Sequence, residues 1–528
     1  MENDKNILSK IHLPTLAICL GCIFTAPPNH REQGMLICKE WAILSMLLIC
    51  AWTMFRVWKK KGDVHNEDSI AKTFFLIGLL ECAIALLQYV GLFAPYNPFF
   101  KFTGSFTNPS MLAIVLSVCS PIGLYYIKQS KGTDRIKWIA MTSVQILFLA
   151  LCTSRTGILA VTCSYLILFA KPASESCSWW KANKVTIFPL VLLIPLLTGL
   201  HILKGDSASG RILIWTNCMN LFLDKPLVGW GTSGFDAHYM PQQAAFFAQY
   251  PSSPYSNLAD NVSHPFNEFL LITVNYGVIG LLLLLLTSYI FVRQLVKCNN
   301  KHKILLASTC MSIVVCAMFS YPYQMPIIWV VSTCILALTI TSSPNHHIAK
   351  SILLSLTILT LLFKSTYRLK ERWNWAALMD NPHQELPETI LQQYHRLYSK
   401  LQHDSYFLYN YGAMLHQHGK YKQSNQILHE CTKTYYDYNV QMLIADNYRQ
   451  LGMSRKAIYA FAFAAQMVPC RFLPLYYEMK TYEESGNIIA ARHTARVILN
   501  KYVKVKNSPT VEKIRTEAKQ LIQEDADK

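Results

Sequence analysis

A histidine, two arginines and a few amides and carboxylates border the apolar runs of this chain, and their types and spacing suggest chemistry. "NVSHPFNEFLLITVNYGVIG" sets His264, Asn267 and Glu268 just ahead of such a run. An imidazole there can take a proton near neutral pH. Glu268, four residues on, shares its face if a helix has already begun, although Pro265 points to a start at about that place. The plainer alternative is an interfacial histidine beside a helix cap. In "GRILIWTNCMNLFLDKPLVGWGTSGF", Ile212, Trp215, Met219 and Phe222 recur at helical spacing, which predicts an amphipathic helix lying on a membrane surface. Arg211 and Trp215 stand at i and i+4, so this helix opens with a cation suited to clamping an anion. Gly229, Gly231 and Gly234 then break it and let backbone approach something closely. Arg155, in "TSRTGILAV", either snorkels at a span boundary or faces the interior of a bundle, where ionisable residues are functional by default. Two arginines on one site would suit a pyrophosphate, whose charge they hold bidentately. Glu81, inside an apolar run, and Lys101 with Asn108 in "KFTGSFTNPS" are weaker candidates with ready structural explanations. P-loop, GxSxG, HExxH and dinucleotide signatures are absent from the sequence.

The frame for these residues is membranous. Of 528 residues, 52% are hydrophobic and 15% charged, against roughly 25% charged in soluble domains. The net charge of +18 is scattered between apolar runs without a nucleic-acid-binding pattern, so it reads as membrane topology. Most of the sixteen cysteines sit singly in apolar runs, as small packing residues rather than disulfide or zinc ligands. Apolar runs at 11–27, 36–56, 73–94, 110–127, 138–153, 156–170, 185–203, 268–292, 304–320, 326–341 and 350–364 predict an all-α polytopic membrane protein with about eleven spans. Basic residues follow the second, fourth, sixth and eighth runs (Lys59, Lys60, Lys61 and Lys72; Lys128, Lys131, Arg135 and Lys137; Lys171, Lys181 and Lys184; Arg293, Lys297, Lys301 and Lys303), which puts those loops and the N-terminus in the cytoplasm. The long loop at 204–267 and everything beyond 364 then face outward, and a connection of that length is more often functional than passive.

The membrane domain thus spans 1–364, with 365–403 a helical connection and 404–528 a different kind of sequence. There Gly419, Gly452 and Gly486 recur at 33 and 34 residues, each followed five positions later by Ser424, Ala457 or Ala491. That is the tetratricopeptide period, clearest in "QLGMSRKAIYAFAFAAQMVP". The tail is either a stabilising helical spacer or a docking surface for an acceptor or partner protein.

"SRTG" ending a middle span, "GRILIWTNCMNLFLDKPLVGWGTSGF" opening a long outer loop and "SHPFNEFLLITVNYGVIG" closing it resemble the bacterial O-antigen ligase family, which includes O-antigen polymerases and protein O-oligosaccharyltransferases. "GSFTNPSMLAIVLS" is similar to an earlier Gly-Asn-Pro segment of that family, and the resemblance runs in order over about 73–340. It implies a membrane glycosyltransferase of the bacterial inner membrane that moves a glycan from an undecaprenyl-diphosphate carrier to a lipid, glycan or protein hydroxyl on the periplasmic face. No nucleotide sugar, metal or other cofactor is implied. By motif, Arg155 and Arg211 would hold the diphosphate and His264 would be catalytic, with Glu268 beside it and Asn267, Trp215 and Asn108 as substrate contacts. Many relatives carry His-x-His-Asn where this chain has His264, Pro265, Phe266 and Asn267. A ligase acting in lipopolysaccharide or other envelope polysaccharide synthesis, or in protein O-glycosylation, leads. A polymerase joining lipid-linked repeats is the alternative. A non-enzymatic transporter with a scaffold tail comes third, because the repeated halves common in transporters are missing.

Overall fold

A computed structural model describes residues 65–169, 205–297, 302–341, 367, 369–379, 387–504 and 508–523, and every regular element among them is helical. The expected runs at 11–27, 36–56, 185–203 and 350–364 lie outside the described residues, so the total of about eleven spans rests partly on them. The chain divides into two compact units, one of Met1–Leu203, Phe266–Glu268 and Leu284–Asp380 and one of Lys204–Pro265, Phe269–Leu283 and Asn381–Lys528.

In the first unit, α1 (His65–Tyr89), α2 (Pro109–Gln129), α3 (Gly132–Leu151) and α4 (Arg155–Phe169) precede the outer loop. After it come α7 (Glu268–Lys297), which crosses both units, and α8 (Lys303–Phe319) and α9 (Pro326–Thr341). Three of these, α1, α2 and α7, are long and apolar enough to cross a membrane, while α4, α8 and α9 are shorter apolar helices. The helix at the centre is α2, packed against α1, α3, α4 and α8 and buried on nearly every side. Its neighbours approach closely because small residues line the contacts: a Cβ on Gly157 of α4 would lie 3.2 Å from the Ala113 carbonyl. Polar side chains glue the helices from inside. Gln145 donates to the Phe75 carbonyl at 2.9 Å, Ser164 to that of Ser308 at 2.7 Å and Ser312 to that of Ser117 at 2.6 Å. Large apolar side chains such as Leu147, Leu285, Leu286 and Val314 face outward instead. Polar inside and apolar outside is the pattern of a helix bundle solvated by lipid.

Near the start of α1, Asp68 accepts from Tyr126 at 3.0 Å, and its carboxylate lies 3.1 Å from Nε2 of buried His302. His302 Nδ1 lies 3.1 Å from the Tyr125 hydroxyl. This cluster fastens α1, α2 and the start of α8, and no periodic pattern announces it. The ten described cysteines are mostly buried, in keeping with packing roles.

The second unit holds α5 (Gly205–Asp224), α6 (Gly234–Gln249), the early part of α7 and the tail helices. These are α10 (Pro387–Leu401), α11 (Ser405–Gln417), α12 (Tyr421–Cys431), α13 (Tyr438–Gln450), α14 (Ser454–Met467), α15 (Leu473–Glu484), α16 (Ile488–Asn500) and α17 (Pro509–Gln523). Gly419, Gly452 and Gly486 take the left-handed conformation, with φ of 72°, 70° and 77°, in the turns joining α11 to α12, α13 to α14 and α15 to α16. A Cβ is disfavoured there, so the glycine period follows directly from the turn that ends each first helix. The small residue five positions on is buried against the preceding helix, as where Ser424 donates to the Gly412 carbonyl at 2.7 Å.

Candidate functional site

In the first unit the segment before α2 is fastened by two side chains of α1. Buried Gln88 donates to the Gly104 carbonyl at 2.8 Å and accepts from the Thr103 and Gly104 amides at 2.8 and 2.9 Å. Glu81, with no exposed surface, accepts from the amide and hydroxyl of Ser105 at 2.9 and 2.6 Å. Gly104 has φ of +64°, and a Cβ there would lie 2.6 Å from Glu81. The chain then enters α2 through Asn108, whose side-chain oxygen caps the helix by accepting from the Ser110 amide at 2.8 Å. Glu81 and Asn108 therefore have structural employment in shaping this loop. Lys101 is exposed, 5.9 Å from the Tyr89 ring centroid.

Arg155 opens α4 at the three-residue corner after α3. Thr153 there has φ of +50°, and Ser154 accepts from the Gly157 amide at 3.3 Å through its hydroxyl. The corner thus holds the half-buried Arg155 at a helix N-terminus.

α7 starts at Glu268, so His264 precedes the helix and the condition for a helical face shared by these two residues is not met. Pro265 does not begin the helix because Phe266 turns the chain first, with φ of +56°. Its ring packs against Tyr321 at a centroid distance of 5.4 Å. Glu268 accepts from the Tyr323 amide at 3.2 Å.

In the second unit, α5 presents Leu213, Ile214, Asn217, Cys218 and Leu221 inward and Ile212, Met219 and Leu223 outward. Its amphipathicity is thus real, but one apolar stripe packs in protein while another stays exposed. Trp215 spends its indole N–H on the Pro265 carbonyl at 2.9 Å. Trp215 thus ties α5 to the segment that carries His264, and Arg211 lies one turn earlier on the same helix face. His264 is partly buried, and its Nδ1 is 2.8 Å from the Ser263 hydroxyl. When Nδ1–H donates to Ser263, the Nε2 lone pair is the basic one.

The loop glycines approach protein backbone. Trp230 and Gly231 amides donate to the carbonyls of Val274 and Asn275 at 3.0 and 2.8 Å, and Asn275 in turn accepts from the Phe235 amide at 2.9 Å. A Cβ on Gly229 would lie 2.5 Å from the Asn275 carbonyl carbon. α7 is broken at Gly277, with φ of 61° and ψ of −157°, and there the Val278 and Ile279 amides donate to Pro226 and Leu227 at 2.8 and 3.2 Å. The "PLVGWG" turn is therefore bonded along its backbone to α7. Sequence reasoning missed Asn275 and Ser263, and also His238, whose ring centroid lies 4.1 Å from that of Trp230 at a tilt of 40°. Lys225 lies over the same indole at 3.9 Å, and burial together with that cation lowers the His238 pKa.

Residues 138–285 match the family model described as O-antigen ligase. This stretch, which carries Arg155, Arg211, Trp215, His264, Asn267 and Glu268, is similar to the O-antigen ligase family. A protein of Rickettsia conorii named "Putative polysaccharide ligase" is 28% identical over 102 residues, which is 19% of this chain and 24% of that protein. The matched segment thus spans about a quarter of the relative.

Proposed function

We propose that this O-antigen ligase-family chain is an inverting glycan ligase of the bacterial inner membrane, acting on the periplasmic face. The donor is an undecaprenyl-diphosphate-linked oligo- or polysaccharide, and the acceptor is a hydroxyl of a lipid, glycan or protein. The observation that carries the reading is the fixing of His264 within the matched segment, Ser263 on its Nδ1 and Trp215 on the next peptide carbonyl, with Arg211 one turn along α5.

His264 Nε2 takes the proton of the acceptor hydroxyl as the oxygen attacks the anomeric carbon. The bond from that carbon to the diphosphate oxygen breaks, and the lipid diphosphate leaves with the electron pair. Arg211 and Arg155 bind the diphosphate and stabilise the charge it gains. Glu268 and Asn267 act as supporting polar groups, and Asn108 contributes through the loop it caps. One displacement inverts the anomeric configuration, and these side chains suffice without a metal.

The topology has independent support. Outer-loop residues 204–265 and the tail fall in one compact unit, which supports a common side of the membrane for both. The chain between them must then cross an even number of times. In this reading the apolar runs at 268–292, 304–320, 326–341 and 350–364 of the sequence are the four crossings. With positive loops inside, the shared side is periplasmic and the N-terminus cytoplasmic. The tetratricopeptide-like tail favours ligation to a large acceptor over polymerisation of lipid-linked repeats.

His264→Ala should leave the protein folded and able to bind donor while cutting transfer roughly 100-fold or more. Cells carrying it should accumulate long glycan on the lipid carrier. Single repeats on the carrier would identify a polymerase instead, and normal transfer would remove His264 as the base.

A further inference from the structure

We infer that the helical tail is a built-in clamp on the outer loop, fixing the residues that lead into His264. The contact is between α6 and α14, and at its centre is Gln243, with no exposed surface. Its amide donates to the Met467 carbonyl at 2.6 Å and to the Asp260 carbonyl at 3.1 Å, and its oxygen accepts from the Tyr239 hydroxyl at 2.9 Å. One side chain thus ties α6, the segment before His264 and the end of a tail helix.

The next residues are held from the tail as well. Asn261 donates to Asp437 at 2.7 Å and accepts from the Tyr438 amide at 3.2 Å. Asp437 is the N-cap of α13, accepting from the Val440 amide at 2.9 Å through its other oxygen. The carboxylate therefore ends a repeat helix and holds the loop at once. Arg471 reaches Asp260 at 2.9 Å while its guanidinium lies 4.3 Å from the Tyr438 ring centroid, and the Cys470 thiol donates to the Ala259 carbonyl at 3.3 Å. The Tyr436 amide donates to the Asp236 carbonyl at 2.9 Å.

Residues 259–261 are irregular backbone with no ladder of their own, so these bonds are what order them. Two residues, Val262 and Ser263, separate Asn261 from His264, a reach of at most about 11 Å, so play at Asn261 is passed on to the imidazole. The tail is then a positioning element. This catalytic consequence rests on the reading of His264 as base, whereas the clamp itself does not.

The test is an exchange of partners in the full-length protein. Asn261→Asp places a carboxylate against Asp437. Adding Asp437→Asn restores a donor–acceptor pair with residue 261 and keeps a good cap at 437, while giving up the bonds that the replaced oxygen accepts from the Tyr435 hydroxyl and the Asn439 amide. Hydrogen exchange at 255–264 should rise roughly tenfold in Asn261→Asp, the scale expected for one buried hydrogen bond, and fall back toward the parent level in the double variant. Transfer kcat should fall and recover in parallel, with the KM for a lipid-diphosphate glycan donor and the shape of the pH profile unchanged. Glu484→Gln, which breaks only the Arg449–Glu484 pair inside the tail, should alter neither. Unchanged exchange in Asn261→Asp, or no rescue by the second substitution, would overturn the clamp. Raised exchange with normal kcat would overturn its positioning role. A His264→Ala protein with normal transfer would sink the assignment of the base while the exchange result still judged the clamp.

Discussion

Gly277→Ala isolates the bond between the "PLVGWG" turn and α7, and the structure sets its magnitude. At φ of 61°, an alanine would pay about 1–2 kcal/mol in local strain. Its Cβ would also meet the carbonyl groups of Leu227 and Pro226, the latter's oxygen at 2.6 Å. These are backbone atoms, so no side chain can swing aside, and the turn must retreat. Retreat breaks the two bonds from Val278 and Ile279 to Pro226 and Leu227, each worth about 0.5–1.5 kcal/mol net. The sum is a loss of about 2–5 kcal/mol. Gly231→Ala is the control: its φ of +89° carries the same kind of strain, but nothing lies within 4 Å of the added Cβ. That variant should lose about 1–2 kcal/mol.

The assay is chemical denaturation of the purified full-length proteins in detergent, combined with limited proteolysis between residues 224 and 234. Gly277→Ala should be the less stable of the two and should expose the turn to protease, whereas Gly231→Ala should leave it protected. Equal stability of the two variants, or protection of the turn in Gly277→Ala, would refute the claim that backbone contact at Gly277 holds the loop.

Three further outcomes are expected. Lys at Arg155 or Arg211 should restore only part of the donor binding lost in the corresponding Ala variant, since a point charge lacks the planar fork; full donor affinity in Arg211→Ala would exclude that residue. Trp215→Phe keeps the ring but removes the donor to Pro265, so kcat should fall up to about tenfold with donor KM nearly constant, as steady-state kinetics would show. Burial raises Glu478, on α15, from 4.5 to about 7. The folded tail therefore binds this proton more tightly than the unfolded chain, and stability falls as pH rises from 4.5 through about 7. Glu478→Gln should remove up to about 3 kcal/mol of that loss at pH 8 and none near pH 4, read from denaturation curves at the two pH values.

The sequence made the apolar helices legible because a run of about twenty apolar residues has few other uses. The expected run at 110–127 is helix Pro109–Gln129, and that at 304–320 is Lys303–Phe319. The first described run, expected at 73–94, ends at Tyr89 because Gly91, with φ of 81°, closes the helix within apolar sequence. The break at Gly277 was hidden for the same reason, since hydropathy does not register backbone dihedrals. Glu81 was conspicuous as a carboxylate in an apolar run, yet its partner is the backbone at Ser105. The close approach expected at the loop glycines is present, but it is to α7. Least legible was Asn261 on Asp437, because a bond between residues 176 apart leaves no local period to read.

The placement of His264 on irregular chain explains why so many unlike residues surround it. A helix or strand satisfies its own backbone groups, whereas this segment must be satisfied and oriented from outside. Asn261 is held by Asp437, His264 by Ser263, the Pro265 carbonyl by Trp215, and Glu268 accepts from Tyr323. Phe266 adds a left-handed turn that a bulky residue adopts at a cost of about 1–3 kcal/mol, which persists only where contacts such as that with Tyr321 over-determine it. A histidine on a helix could be displaced only with its helix. Here each neighbour has its own anchor, so loss of any single anchor moves the imidazole without unfolding the protein, and such variants should lose turnover before they lose stability.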